Sequence, residues 1–141
     1  MATQPQYAAT PQIEISQVTT ANTSRTDATS NSATVCAGPA TAAGSGVGKR
    51  ITRVVVSAVA TSTAGAIRFW IGTAAASAKM IVERSVPAIT VATGTTPPFR
   101  VEISELVGMV LPGSTGGNAM NIYATTNTSE TFNIVVESAT L

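Results

Sequence analysis

The stretch Thr61-Ser-Thr-Ala-Gly-Ala-Ile-Arg-Phe-Trp-Ile-Gly72 decides the fold class of this chain. It follows the most apolar run, Ile51 to Ala60, and carries the only Trp and one of the three Phe residues. Apolar residues alternate with the others at its end: Ile67, Phe69 and Ile71 against Arg68, Trp70 and Gly72. Because a period of two places successive side chains on opposite faces of a strand, we predict the turn and second strand of a central hairpin.

The same alternation recurs along the chain between turn-forming residues. It predicts strands at 33–37, 51–61, 66–73, 79–86, 99–103, 120–124 and 132–136. No run shows the 3.6-residue period of a helix. Short strands at this spacing are typical of an antiparallel sandwich. We therefore predict an all-β, jelly-roll-like β-sandwich of seven or eight strands.

The first 32 residues differ in composition from the rest, being rich in Thr, Gln, Asn, Ser and Ala. Ile13, Ile15 and Val18 could form one short strand within them. We expect residues 1–32 to form an extended N-terminal arm and residues 33–141 to form the β-sandwich domain. A floppy N-terminus is the alternative that composition equally allows.

The composition points to a protein that packs against copies of itself or against neighbours. The 141 residues fit one domain, and 11% are charged against about 25% in a typical soluble domain. Eight basic and seven acidic residues give a net charge of +1, while 44% of the chain is hydrophobic. The alternative is a monomer with a Thr-rich β surface.

Nucleic acid and membranes are not expected as partners. The only basic cluster, Lys49, Arg50 and Arg53, is too small to follow a phosphate backbone. The longest apolar run falls far short of the roughly 20 residues of a membrane-spanning helix. No signal peptide is visible at the start, and the single Cys36 excludes an internal disulfide, so we expect folding in a reducing cytoplasm.

The sequence offers little for catalysis, cofactors or metals. Its lack of His removes the commonest general base and most zinc sites. Glu102 and Glu105 are the nearest approach to a carboxylate pair, and a solvated strand edge explains them better. Gly44 to Arg50 resembles a phosphate-binding loop but lacks its first Gly and the Ser or Thr after Lys49. We expect no enzyme, with no catalytic, cofactor-binding or metal-binding residue.

Arg68 and Trp70 are the candidate interface residues. If Ile67, Phe69 and Ile71 face the core, these two side chains point outward, and Arg and Trp dominate interface hot spots. The alternative is a second covered layer that buries Trp70 within its own subunit.

The chain resembles a family of small virion proteins of tailed bacteriophages over about residues 50 to 141. The residues that carry the resemblance are Ile51-Thr-Arg53-Val54-Val-Val56-Ser-Ala58, Thr63-Ala-Gly65-Ala-Ile67-Arg68-Phe69-Trp70-Ile71, Glu83, Val86-Pro87-Ala88, Glu130-Thr131-Phe132-Asn133 and Glu137. The resemblance implies a structural β-sandwich protein of the particle. Similar proteins are often trimeric capsid cement or decoration proteins.

Function and partners follow from that resemblance. It implies a homotrimer that binds the major capsid protein, located in the virion and made in the host cytoplasm. The arm residues Tyr7, Ile13, Ile15 and Val18 would then contact the capsid, where repeated weak contacts gain from a high effective concentration. The alternative is a tail or head-fibre component that binds carbohydrate, for which only Tyr7, Trp70 and Tyr123 could supply aromatic platforms.

Overall fold

The structure is a computed structural model that describes residues 10–39, 48–113 and 119–141. These residues form nine strands: β1 (Thr10–Val18), β2 (Ala33–Cys36), β3 (Gly48–Ala58), β4 (Gly65–Gly72), β5 (Lys79–Val86), β6 (Arg100–Glu102), β7 (Val110–Pro112), β8 (Asn121–Thr126) and β9 (Phe132–Thr140). Two 3-10 helices of three residues each, Ala75–Ser77 and Ser104–Leu106, interrupt the connections.

The strands form two antiparallel sheets. Sheet A has the order β1-β9-β3-β6, and β7 also pairs with β3. Since β6 pairs with Val55–Ser57 and β7 with Gly48–Arg50, the two short strands share one position beside β3 and are separated by the second 3-10 helix. Sheet B has the order β2-β8-β4-β5.

This strand order is that of a jelly roll. The first strand, β1, lies beside the last, β9, in sheet A. The strands next to them in the sequence, β2 and β8, lie beside each other in sheet B. Counting β6 and β7 as one position gives two sheets of four strands, as in the eight-stranded double-sheet jelly roll. The predicted antiparallel, jelly-roll-like β-sandwich is therefore confirmed.

The main core lies between the two sheets and is filled by alternate residues of the central strands. Val54 and Val56 of β3 face Ile67 and Phe69 of β4, and Phe132 of β9 joins them, all at most 1% exposed. Each such side chain contributes about 1.5–3 kcal/mol by leaving water. The predicted core positions of β4 are thus confirmed for Ile67 and Phe69, with Ile71 only partly buried. The predicted hairpin is wrong, because β3 pairs within sheet A and β4 within sheet B, so the connection between them crosses from one sheet to the other.

The N-terminal region differs from the prediction. β1 pairs with β9 along its whole length, from Thr10 opposite Thr140 to Val18 opposite Phe132. The chain from Thr10 onward is therefore part of the sandwich, and the predicted boundary between an arm at 1–32 and a domain at 33–141 is wrong. Nine consecutive backbone pairings with β9 outweigh the polar composition of this segment. The predicted contact residue Tyr7 lies outside the described residues.

Candidate functional site

The outer face of sheet B is covered by the chain itself. Residues 19–32, which connect β1 to β2 and which we call the cover segment, cross this face and place Ala28 in a small second core with Trp70, Ala78 and Tyr123. Trp70 is 1% exposed, and its Nε1 donates to Thr125 Oγ1 at 3.0 Å. An indole buried with its N–H satisfied is a structural element of its own subunit.

Arg68 fastens the cover segment to sheet B. Its side chain is 4% exposed, Nε donates to Glu83 Oε2 at 2.6 Å, and Nη1 donates to the carbonyls of Asn22 and Ser24 at 3.1 and 3.2 Å. Arg25 of the cover segment adds an exposed ion pair to Glu83 Oε1 at 2.9 Å. The hydrogen bond from Arg68 is the main cause that lowers the pKa of Glu83.

The predicted interface role of Arg68 and Trp70 is therefore wrong. Both side chains do leave the main core, as their alternation predicts, but the cover segment folds back over them. The alternative of a second covered layer holds instead. The sequence carried only a weak signal for it, because the cover segment is mostly small and polar and contributes only Ala28 to the second core.

The outer face of sheet A, in contrast, exposes apolar side chains at its β1 edge. Ile13 and Ile15 of β1 are 66% and 73% exposed. Ile15 lies opposite Val135 of β9, which is half-buried, and Val135 lies opposite Val55 of β3, which is only 6% exposed, so one apolar row crosses three strands and is accessible mainly at its β1 end. Isolated exposed apolar residues are common on soluble proteins, but a contiguous row on a sheet face indicates an interaction surface.

Charged residues border this row on one side and neutral amides border it on the other. Arg53 bonds Glu102 at 2.5 Å and lies 3.6 Å from Glu137, which is opposite Ile13. On the other side, Gln17 donates to Asn133 at 2.7 Å. We call the outward-facing residues Ile13, Ile15, Val55 and Val135 with this polar border the sheet A face, and it is the candidate functional site.

The arm residues predicted to contact the capsid divide within β1. Ile13 and Ile15 point outward on the sheet A face, where a partner can reach them. Val18 points inward and is 2% exposed, so its predicted contact role is wrong, because the alternation of the strand turns it into the core.

A buried ion pair closes the sandwich where β1, β2 and β3 meet. Lys49 Nζ bonds the Glu14 carboxylate and donates to the carbonyl of Ala37 at 2.8 Å, and the Ala37 N–H donates to Glu14 at 2.9 Å. Cys36 lies beside Glu14, and burial raises the pKa of its thiol to about 12. Protonated at neutral pH, this thiol is a poor nucleophile.

The residues singled out for chemistry are not brought together. Glu102 binds Arg53, whereas Glu105 binds Arg84 at 2.8 Å, so the two carboxylates serve different ion pairs. Within residues 10–39, 48–113 and 119–141 no group of three His, Cys, Asp or Glu side chains could hold a metal ion. Much of the loop that resembles a phosphate-binding motif lies outside the described residues, and its Lys49 is committed to Glu14.

The buried aromatic residues and the loop cleft offer little for ligand binding. Trp70 and Tyr123 are 1% and 7% exposed, so neither offers an open platform for a sugar ring. A cleft of about 430 Å³ is lined by residues 91–98 of a single loop, none of which is charged. In the part of the chain that the structure describes, no helix is long and apolar enough to cross a membrane.

Comparison with known proteins gives no family assignment. No family model matches the chain, and no curated protein matches it. Among solved structures, it is similar to a chain of the structure of infectious bursal disease virus Gx strain, with 11% identity and a TM-score of 0.31. The match covers the whole of this chain and 35% of the viral one.

Proposed function

We propose that this protein is a structural component of a tailed-phage virion that stabilises the head as a capsid cement or decoration protein. The observation that carries the proposal is the sheet A face, where Ile13 and Ile15 are exposed on a jelly roll whose other outer face is largely covered by its own cover segment. The low charge of the chain and the resemblance of residues 50 to 141 to small virion proteins support it.

The proposed partners are the major capsid protein and other copies of the chain. The sheet A face would lie against the shell, with Ile13, Ile15 and the half-buried Val135 at the centre of the contact and Arg53, Glu102 and Glu137 at its rim. Interfaces commonly have this division into an apolar centre and a polar rim. A homotrimer would present three such faces together, and binding at repeated sites would strengthen modest individual contacts.

The proposal includes no enzymatic activity, nucleic acid or membrane. The residue types that catalysis requires are scarce, and the carboxylates of Glu14, Glu83, Glu102 and Glu105 form ion pairs with basic side chains. The tail or head-fibre alternative needs exposed aromatic residues for carbohydrate binding, and its candidates Trp70 and Tyr123 are buried in the second core. We therefore develop the cement role.

The copy number in the virion is the first test. Particles of the phage that encodes this chain would be purified, and the ratio of the chain to the major capsid protein measured by quantitative mass spectrometry. A cement protein is present in a fixed, large ratio to the capsid protein. A few copies in each particle would favour a tail or fibre component, and absence from the particle would overturn the virion role.

The second test addresses the surface. Purified protein would be added to particles that lack it, with Val135→Lys as the variant, because Val135 is at the centre of the sheet A face and away from the free edge of β1. Binding should be lost while the melting temperature changes little. Ile81→Lys, on the exposed part of β5 in sheet B, is the matched control and should bind normally. Equal binding by both variants would contradict docking through sheet A.

A further inference from the structure

The free edge of β1 is the feature that goes beyond this role. β1 pairs with β9 on one side only, and no described strand pairs with its other side. It has nine residues, whereas edge strands that avoid pairing with other chains are usually short, charged or covered, or carry Pro or an inward-pointing charge. Of these features β1 has Pro11 near its start and the inward-pointing Glu14. Two of its exposed side chains, Ile13 and Ile15, are large and apolar. An edge left open in this way is a site for strand addition.

The side chains of β1 are arranged symmetrically about Glu14. Ile13 and Ile15 flank this residue on the outer side, while the Glu14 carboxylate points inward to Lys49 and the Ala37 N–H. A two-fold axis through Glu14 would pair two antiparallel copies of β1, with Ile13 of each copy opposite Ile15 of the other. Such an isologous contact requires a surface that is complementary to itself, and this register provides it.

The charges of β1 are compatible with the same pairing. The outward residues of β1 are Pro11, Ile13, Ile15 and Gln17, which carry no charge. Its single charged residue, Glu14, is bound to Lys49 within its own subunit. In this register, each row across the contact would contain Glu137 and Ile13 of one copy, followed by Ile15 and Val135 of the other. No like charges oppose each other across the contact.

We infer that β1 is a homotypic interface through which a second copy of this chain extends sheet A across a two-fold axis. The contact gathers four Ile side chains and joins two four-position sheets into one. Because a single strand edge buries less than the roughly 1,200 Å² of a stable interface, the pairing is reversible and depends on concentration. In a trimeric assembly the same contact would link one trimer to the next.

Disulfide trapping tests the register directly. Ile13→Cys and Ile15→Cys would be made separately, and each variant would be incubated with oxidised glutathione alone and as a mixture. Directly opposite residues have Cα atoms about 4.5–5.5 Å apart, within disulfide range, whereas diagonal neighbours are about 7–8 Å apart. Only the mixture should give a covalent dimer. The unmodified chain, whose Cys36 is buried, is the control.

The mass in solution tests the contact independently. Light scattering over a wide range of concentrations should show self-association, and Ile13→Asp with Ile15→Asp should halve the mass while the melting transition remains cooperative. Val59→Asp, at a residue that is 52% exposed in the bend after β3, should leave the mass unchanged.

Three results would overturn the inference. These are a chain that never associates through β1, association that survives the double Asp variant, and cross-linking by either Cys variant alone. The virion role is tested separately on particles, where Val135→Lys removes shell binding and leaves β1 pairing intact. Failure of one proposal can therefore be told from failure of the other.

Discussion

Arg68 and Glu83 lie opposite each other on β4 and β5, and their side chains are joined by a hydrogen bond of 2.6 Å on the outer face of sheet B. The pair helps to hold the cover segment to the sheet, because Arg68 also donates to two of its carbonyls. A second attachment is the hydrogen bond from the Asn22 N–H to the Thr126 carbonyl at 2.7 Å. The cover segment buries much of the outer face of sheet B, whereas Ile13 and Ile15 remain exposed on sheet A.

Replacing Arg68 should weaken the fold far more than replacing the other arginine on Glu83. Arg68→Ala leaves buried carbonyls of the cover segment without a donor, and removing one member of a buried pair costs about 3 kcal/mol. Arg25→Ala removes an exposed ion pair worth about 0.5 kcal/mol. Chemical denaturation of both variants would measure the difference. Equal losses of unfolding free energy would contradict the clamp role of Arg68.

Trp70→Ala should destabilise the monomer without changing its association. The loss of a buried Trp costs about 3–5 kcal/mol, through lost contacts and the cavity that remains. The free energy of unfolding and the mass in solution would be measured on the same sample. Trp70→Phe is the conservative control and should keep most of the stability while leaving Thr125 without its indole partner. A variant that melts normally but loses its association would restore Trp70 as an interface residue.

Acid should weaken the attachment of the cover segment. The pKa of Glu83 is lowered from its ordinary value of 4.5, mainly by the hydrogen bond from Arg68. A carboxylate with a lowered folded pKa contributes stability that is present above its unfolded value and is lost as the pH falls through its folded value. The free energy of unfolding should therefore decline as the pH falls below about 4.5.

The variant Glu83→Gln isolates this contribution. It should be less stable than the native chain at neutral pH and should show a shallower decline in acid. Glu105 has a lowered pKa as well, from its backbone and Arg84, so part of the acid dependence will remain. Parallel curves for the variant and the native chain would show that Glu83 contributes nothing to it.

Cys36 should resist thiol reagents while the protein is folded. Its side chain is fully buried, and burial raises the pKa of the thiol to about 12, so almost no thiolate is present at neutral pH. Labelling with a maleimide or an aromatic disulfide should be slow in buffer and rapid in denaturant. Fast labelling of the native chain would show that the junction of β1, β2 and β3 opens readily.

Local patterning predicted much of the sandwich. The strand expected at Lys79–Val86 is the observed β5, and β4 differs from its prediction by a single residue at each end. Ile67 and Phe69 occupy the core as their alternation indicated. The period of two is set by the backbone geometry of each strand, so a strand shows its own buried face regardless of what lies beyond it.

Only the tertiary structure decided what covers the opposite faces. Arg68 and Trp70 alternate with the core residues as outward side chains would, and their burial comes from the cover segment, far from them in sequence. The same holds for β1. Its polar composition predicts a free arm, but its pairing with β9 makes it a strand of sheet A. Alternation separates the two faces of a strand, but which face meets water depends on contacts between distant segments, and these place Ile13 and Ile15 outside and Trp70 within.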